Sequence, residues 1–276
     1  MSLIITSLNS GSNGNCYYIG NENEAVFIDA GISCRETEKR MKRLGLNMKK
    51  VKAIFISHEH TDHISGVVML SKKYQLPVYI TEATHKVARI RLEKHLVNRF
   101  RENDPVQIGE LCITAFTKSH DAGDPHSFMV ASTSVKVGVF TDIGTPCKKL
   151  IHHFRQCHAA FLEANYDEDM LMNGDYPYYL KKRISDGQGH LSNKESVELF
   201  KKHKPVFMSH LILSHLSKNN NKPELVRELF SRHARGTEII IASRDEETDT
   251  FYINDNSKAG KKVKRNVSGK QQLSLF

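Results

Sequence analysis

Six consecutive residues, His58-Glu-His-Thr-Asp-His63, place three histidines and an aspartate in one short stretch. Imidazole nitrogens and carboxylate oxygens suit zinc, iron or manganese, and the pattern does not choose among them. The stretch follows a continuous apolar run, Ile54-Phe-Ile-Ser57, which reads as the end of a buried strand over Val51–Ile56. In an extended segment His58 and His60 point the same way and can hold one ion. A helix is expected over His63–Tyr74, and the turn into it lets Asp62 and His63 face a second ion.

One segment cannot close two coordination spheres, so further ligands must come from other strand ends. His120 follows an expected strand at Leu111–Phe116, Asp142 follows one at Lys136–Phe140, and His215 comes after one expected at Pro205–Met208. A carboxylate between two cations can bridge them, which makes Asp142 the natural shared ligand. Asp29 ends an expected strand at Ala25–Asp29 and is either a turn cap or a carboxylate that accepts a hydrogen bond from a ligand. Two such cations lower the pKa of a water and offset charge on a phosphate or carbonyl oxygen, and Asp62 could also orient that water. His190, in Gly187-Gln-Gly-His-Leu-Ser-Asn193, has two glycines before it and an expected helix after it. It could reach into a cleft to bind a phosphate or protonate a leaving alkoxide. No serine or cysteine triad is apparent. Ser10-Gly-Ser-Asn-Gly-Asn15 is either a tight turn or a loop able to approach a phosphate.

These residues need a scaffold of strands that end at one edge. Strands at Asn15–Gly20, Ser127–Ala131, Ala159–Glu163 and Glu238–Ile241 join those already named. Helices are expected at Ser33–Leu44, with Ser33 as N-cap, and near Pro146–Arg155, Tyr176–Arg183, Ser192–His203 and Pro223–His233. Strands with interleaved helices imply sheets packed together with helices on their outer faces, an α/β (α+β) chain. The 276 residues, 39% hydrophobic and 26% charged, are ample for one large domain, assigned here to residues 1–255. No run is long enough to span a bilayer, and no secretory leader is evident, so no membrane partner is expected. Five cysteines without paired spacing suggest free thiols and a cytoplasmic location. The formal charge is +9, but residues 257–276 carry six lysines and arginines and no acid, which leaves +3 for residues 1–256. Residues 256–276 therefore read as a basic, flexible tail suited to attraction by nucleic acid.

The order Asp29, His58-x-His-x-Asp-His63, His120, Asp142, His215 resembles the motif series of the metallo-β-lactamase superfamily. The resemblance implies a four-layer αββα sandwich with two divalent metal ions at one edge of its sheets. It gives His58, His60 and His120 to one ion, and Asp62, His63 and His215 to the other, with Asp142 between them. Gly189-His-Leu-Ser192 also resembles the Gly-His-Ser element of tRNA 3′-processing endonucleases.

Superfamily membership leaves the substrate open among β-lactams, thioesters, lactones and RNA or DNA phosphodiesters. The blocks Ser10–Cys16, Ser119-His-Asp-Ala122, Glu163-Ala-Asn-Tyr-Asp167, Tyr176-Pro177 with Leu180-Lys-Lys-Arg-Ile184, and Leu213–Ser217 resemble the YycJ/WalJ family of bacterial exonucleases. That resemblance implies 5′→3′ degradation of DNA in repair, with RNA processing or thioester and lactone hydrolysis as alternatives. Lys181, Lys182 and Arg183 could contact phosphates. The closing peptide Gln272-Leu-Ser-Leu-Phe276 is similar to the motif by which bacterial repair proteins dock on the DNA sliding clamp. Gln272, Leu273, Leu275 and Phe276 would form that contact, with the basic tail as linker.

Overall fold

The computed structural model describes residues 2–255; the tail over 256–276 and its clamp-like peptide lie outside the described residues. Successive side chains of a strand point to opposite faces, and many strands here are buried on both, so their apolar runs are continuous. The first sheet contains β1 (Leu3–Asn9), β2 (Cys16–Gly20), β3 (Ala25–Ile28), β4 (Val51–Phe55), β5 (Val78–Tyr79) and β6 (Val97–Asn98). The second contains β7 (Val106–Ile108), β8 (Leu111–Thr117), β9 (His126–Ser132), β10 (Val135–Phe140), β11 (Ala159–Glu163), β12 (His210–Ser214) and β13 (Glu238–Ile241). A last strand, β14 (Phe251–Ile253), returns to pair with β1, so the sheet orders are β14-β1-β2-β3-β4-β5-β6 and β13-β12-β11-β10-β9-β8-β7.

Ile5, Tyr17, Ile28 and Phe55 of the first sheet meet Ile113, Phe128, Val137 and Phe161 of the second in the central core. Their neighbours in sequence face outward. Tyr18, Phe27 and Ile54 pack against Met41 of α1 (Cys34–Arg43) and Leu70, which lies beyond the short α2 (Thr61–Ile64) in α3 (Val67–Tyr74). The second sheet's outer face buries Phe140, Leu162 and Leu213 under α5 (Lys148–Phe154), α8 (Asn193–His203) and α9 (Pro223–Ser231). Between these lie α4 (Glu82–Ala88), α6 (Glu168–Asn173) and α7 (Tyr178–Ser185). The expected αββα sandwich is the observed one.

Local capping follows the sequence. Ser33 Oγ accepts from Glu36 N, and Ser192 closes a reciprocal box with Glu195 at the start of α8. Two expectations need correction. The single helix expected over His63–Tyr74 is broken between Ile64 and Val67. Gly66 sits so close to the preceding loop that a Cβ there would stand 1.9 Å from Ile32 O. The strand expected at Pro205–Met208 is a turn, closed by Met208 N donating to Pro205 O, with Val206 98% exposed; the strand is β12, five residues later. Proline has no N–H for a ladder, and this is where the chain reverses after α8. The short strands β5, β6, β7 and β14 and the helices α4 and α6 carry too few periodic residues to have been anticipated.

Candidate metal centre

The parallel strands set the site. β3 pairs parallel with β4, and β10, β11, β12 and β13 run parallel in turn. Their C-terminal ends deliver Asp29, His58–His63, Asp142, Glu163 and His215 to one edge of the sandwich, and the β8–β9 loop adds His120. Asp29, Asp142 and His215 all adopt left-handed backbone, with φ of 60°, 55° and 58°. Non-glycine residues hold such angles only where the surroundings enforce them, and they collect at functional sites.

The ligand-bearing atoms fall into four overlapping groups: His58, His60 and His120; Asp62, His63 and His215; His58 and His63 with Asp142; and Asp142 with Glu163, His190 and His215. His60 Nδ1 lies 3.1 Å from His58 Nε2 and 3.3 Å from His120 Nε2. His63 Nε2 and His215 Nε2 each lie 3.5 Å from Asp62 Oδ2, and 3.3 and 3.6 Å from the Asp142 carboxylate. Ligands at 2.0–2.1 Å around a tetrahedral zinc stand about 3.3 Å apart. Asp142 Oδ2 is buried without a hydrogen-bond partner, as expected of an oxygen meant for a cation. The residues therefore fit divalent metal binding.

The far nitrogens of four histidines are already occupied, which turns the near ones inward. His63 Nδ1 donates to Asp29 Oδ2 at 2.7 Å. Ser57 Oγ donates to the same Asp29 oxygen at 2.8 Å and accepts from His58 Nδ1 at 2.9 Å. His120 Nδ1 donates to Gly189 O at 2.9 Å, and His215 Nδ1 to Glu163 Oε1 at 3.1 Å. Asp29 thus accepts from the His63 ring and from both the N–H and the Oγ–H of Ser57.

Burial and charge divide the two halves. Burial holds His58 well below the usual imidazole range and brings His120 to about 4, so both present lone pairs. At His63 and His215 burial acts the same way, but Asp142 and the neighbouring carboxylates outweigh it; His63 rises and His215 reaches about 10. Burial opposes ionisation of Asp62 and Asp142, yet the histidines keep both well below the ordinary carboxylate range.

His190 reaches the same centre. Its Nδ1 lies 2.8 Å from Glu163 Oε1 and 3.8 Å from Asp142 Oδ1. Glu163 was not singled out from sequence as a site residue. Burial would raise its pKa, but His190 and His215 bring it to about 2. A signal existed, since Glu163 ends an apolar strand just as Asp29 does. Asn15, which donates to Asp62 Oδ2 at 3.1 Å, and Lys118, buried with Nζ donating to Thr141 O at 2.7 Å, were also unanticipated. The Ser10–Asn15 loop joins β1 to β2 and borders the site: Ser10 Oγ accepts from His215 N at 2.8 Å. His126 and His210 stay outside it, tied to Asp124 O and Ser209 Oγ. The centre opens to a cavity of about 420 Å³ whose walls include Ser12, Asp62, Tyr176, Arg183 and His190.

Fold and site together define a hydrolase of the metallo-β-lactamase superfamily, and a family model described as a β-lactamase superfamily domain matches residues 24–216. The structure of YhfI from Bacillus subtilis, a metallo-β-lactamase-fold protein, superposes with a TM-score of 0.70 at 16% identity, covering 91% of this chain and 100% of that one. The short form of human tRNase Z superposes with a TM-score of 0.61 at 14% identity, covering 89% and 98%. The chain belongs to the YycJ/WalJ family. It is 33% identical to exodeoxyribonuclease YycJ of Bacillus anthracis over 84% of this chain and 89% of that protein. It is 30% identical to exodeoxyribonuclease WalJ of Streptococcus pneumoniae over 79% and 83%. All five cysteines are unpaired, and no helix among the described residues is long and apolar enough to cross a membrane.

Proposed function

We propose that the protein is a two-metal phosphodiesterase that removes nucleotides from DNA, working 5′→3′ in repair. The observation that carries this reading is the overlapping ligand groups, two of which contain Asp142, beside one open cavity that Asp142 and His190 both line. The names of the two relatives, similar over most of their length, support DNA as substrate. His58, His60 and His120 would hold one ion; Asp62, His63 and His215 the other; and Asp142 would reach both. When bound, the ions supply Lewis-acid stabilisation of phosphate charge and make water a nucleophile at neutral pH.

The chain's own residues do the rest. Asp62, whose Oδ2 accepts from Asn15 Nδ2, would hold the attacking water by one carboxylate oxygen. Glu163 accepts the Nδ1–H of His190; with the ring doubly protonated, Nε2–H would pass its proton to the departing oxygen and leave the neutral Nδ1–H imidazole. Gln272–Phe276, with the basic residues before it, supports a sliding clamp as a second partner on sequence grounds alone.

Purified protein, and a variant carrying both His58→Ala and His60→Ala, should be incubated with 5′-labelled duplex DNA, RNA and a thioester plus Mn²⁺ or Zn²⁺. Metal-dependent release of nucleotides from DNA by the wild type alone is the expected result. Cleavage of RNA without DNA would overturn the reading. Deleting Gln272–Phe276 should abolish clamp binding and leave activity on short DNA intact.

A further inference from the structure

Two tyrosines at the start of α7 are 75% (Tyr178) and 74% (Tyr179) exposed, far more than a solvent-facing aromatic needs to be. Leu180, Arg183 and Ile184 of the same helix line the cavity above the metal centre. At 3.6 residues per turn, Tyr179 lies one turn before Arg183 on the same flank, beside the cavity-lining face. Tyr178 lies about half a turn from Leu180 and faces away. Arg183 Nε is held at the rim by Asp121 Oδ2, 2.5 Å away, and Lys182 follows Tyr178 by one turn. An exposed ring, a guanidinium one turn on, and the hydrolytic cavity next to both form a continuous strip.

We propose that Tyr179 is a stacking platform for an unpaired base of the DNA strand entering the site, with Arg183 taking the adjacent phosphate. This rests on the nucleic-acid reading above. Every base has a face that can stack on an aromatic ring, so the platform holds a strand without reading its sequence. A base inside a duplex is stacked on its neighbours and cannot offer that face, so the strip selects single-stranded or frayed ends.

The test is fluorescence anisotropy of the Mn²⁺-loaded full chain with a labelled, cleavage-resistant phosphorothioate oligothymidylate, beside a blunt duplex of equal length. Tyr179→Ala should bind the single strand about tenfold more weakly, the loss of one base–aromatic stack. Tyr179→Phe and Tyr178→Ala should stay within twofold of wild type, and all three variants should melt within a few degrees of it. Equal losses in Tyr178→Ala and Tyr179→Ala would overturn the platform, as would an unaffected Tyr179→Ala. Wild-type binding no tighter to the single strand than to the blunt duplex would overturn the selectivity. If the binding pattern holds while no DNA is hydrolysed, the proposed activity fails and the platform stands.

Discussion

Glu163 Oε1 lies 2.8 Å from His190 Nδ1, and this wholly buried carboxylate ties the imidazole to the back of the metal centre. If His190 protonates the leaving oxygen, its loss must matter more for poor leaving groups than for good ones. His190→Ala should lower kcat on DNA by about 10²–10⁴-fold. On bis(p-nitrophenyl) phosphate, whose leaving group needs no proton, the loss should stay below about tenfold. Equal losses on both substrates would remove the proton-donor role.

Asp29 holds His63 directly and His58 through Ser57. Asp29→Ala removes the acceptor that fixes both rings. Metal affinity should fall about 10–100-fold, the usual effect of losing such a partner. Calorimetric titration of the metal-stripped protein with Zn²⁺ measures this.

Gly31 packs against the turn that carries Asp62, and a Cβ there would stand 1.6 Å from Asp62 O. Gly31→Ala must push that turn aside. A destabilisation of about 1–3 kcal/mol or more, typical of overpacking, should appear in urea unfolding together with reduced metal content. Gly45, where a Cβ would meet nothing within 4 Å but φ is +68°, provides the contrast. Gly45→Ala should cost only backbone strain and leave metal content unchanged.

His153 stacks on Phe116, with ring centroids 4.2 Å apart, away from the metal centre. Burial, helped by His152 and Lys136, brings its pKa from 6.5 to about 4. The unfolded chain therefore binds this proton more readily than the folded one. The stabilisation is complete above pH 6.5 and is lost as the pH falls toward 4. His153→Phe keeps the stacked ring and removes the titration, so urea midpoints between these pH values should decline less steeply than in wild type. Parallel profiles would exclude His153 as a contributor.

The convergence of the seven residues expected to bind metal was legible because each is a histidine or aspartate that follows a strand, and strand ends converge when strands run parallel. Their partners were harder to see. Glu163 lies within a block whose resemblance was plain, but one glutamate after Ala159–Leu162 looks like any strand terminus until β12 sets His215 beside it. Asn15 reaches the Asp62 carboxylate with its side-chain amide, and Lys118 reaches the Thr141 carbonyl, contacts that no spacing rule encodes. The misplaced strand at Pro205–Met208 arose because apolar residues there suggested burial. Val206 and Phe207 are instead exposed, and the fully buried run His210–Ser214 carries the pairing.

The metal-facing groups come from both sheets: His58 to His63 follow β4 of the first, while His120, Asp142 and His215 follow strands of the second. Any ion shared among them would fasten the first sheet to the second at the rim, in addition to the apolar core that joins them. Occupancy should therefore be written into the melting curve. A chelator would lower the transition temperature of the entire sandwich, and the drop would track free ion concentration as binding linkage requires.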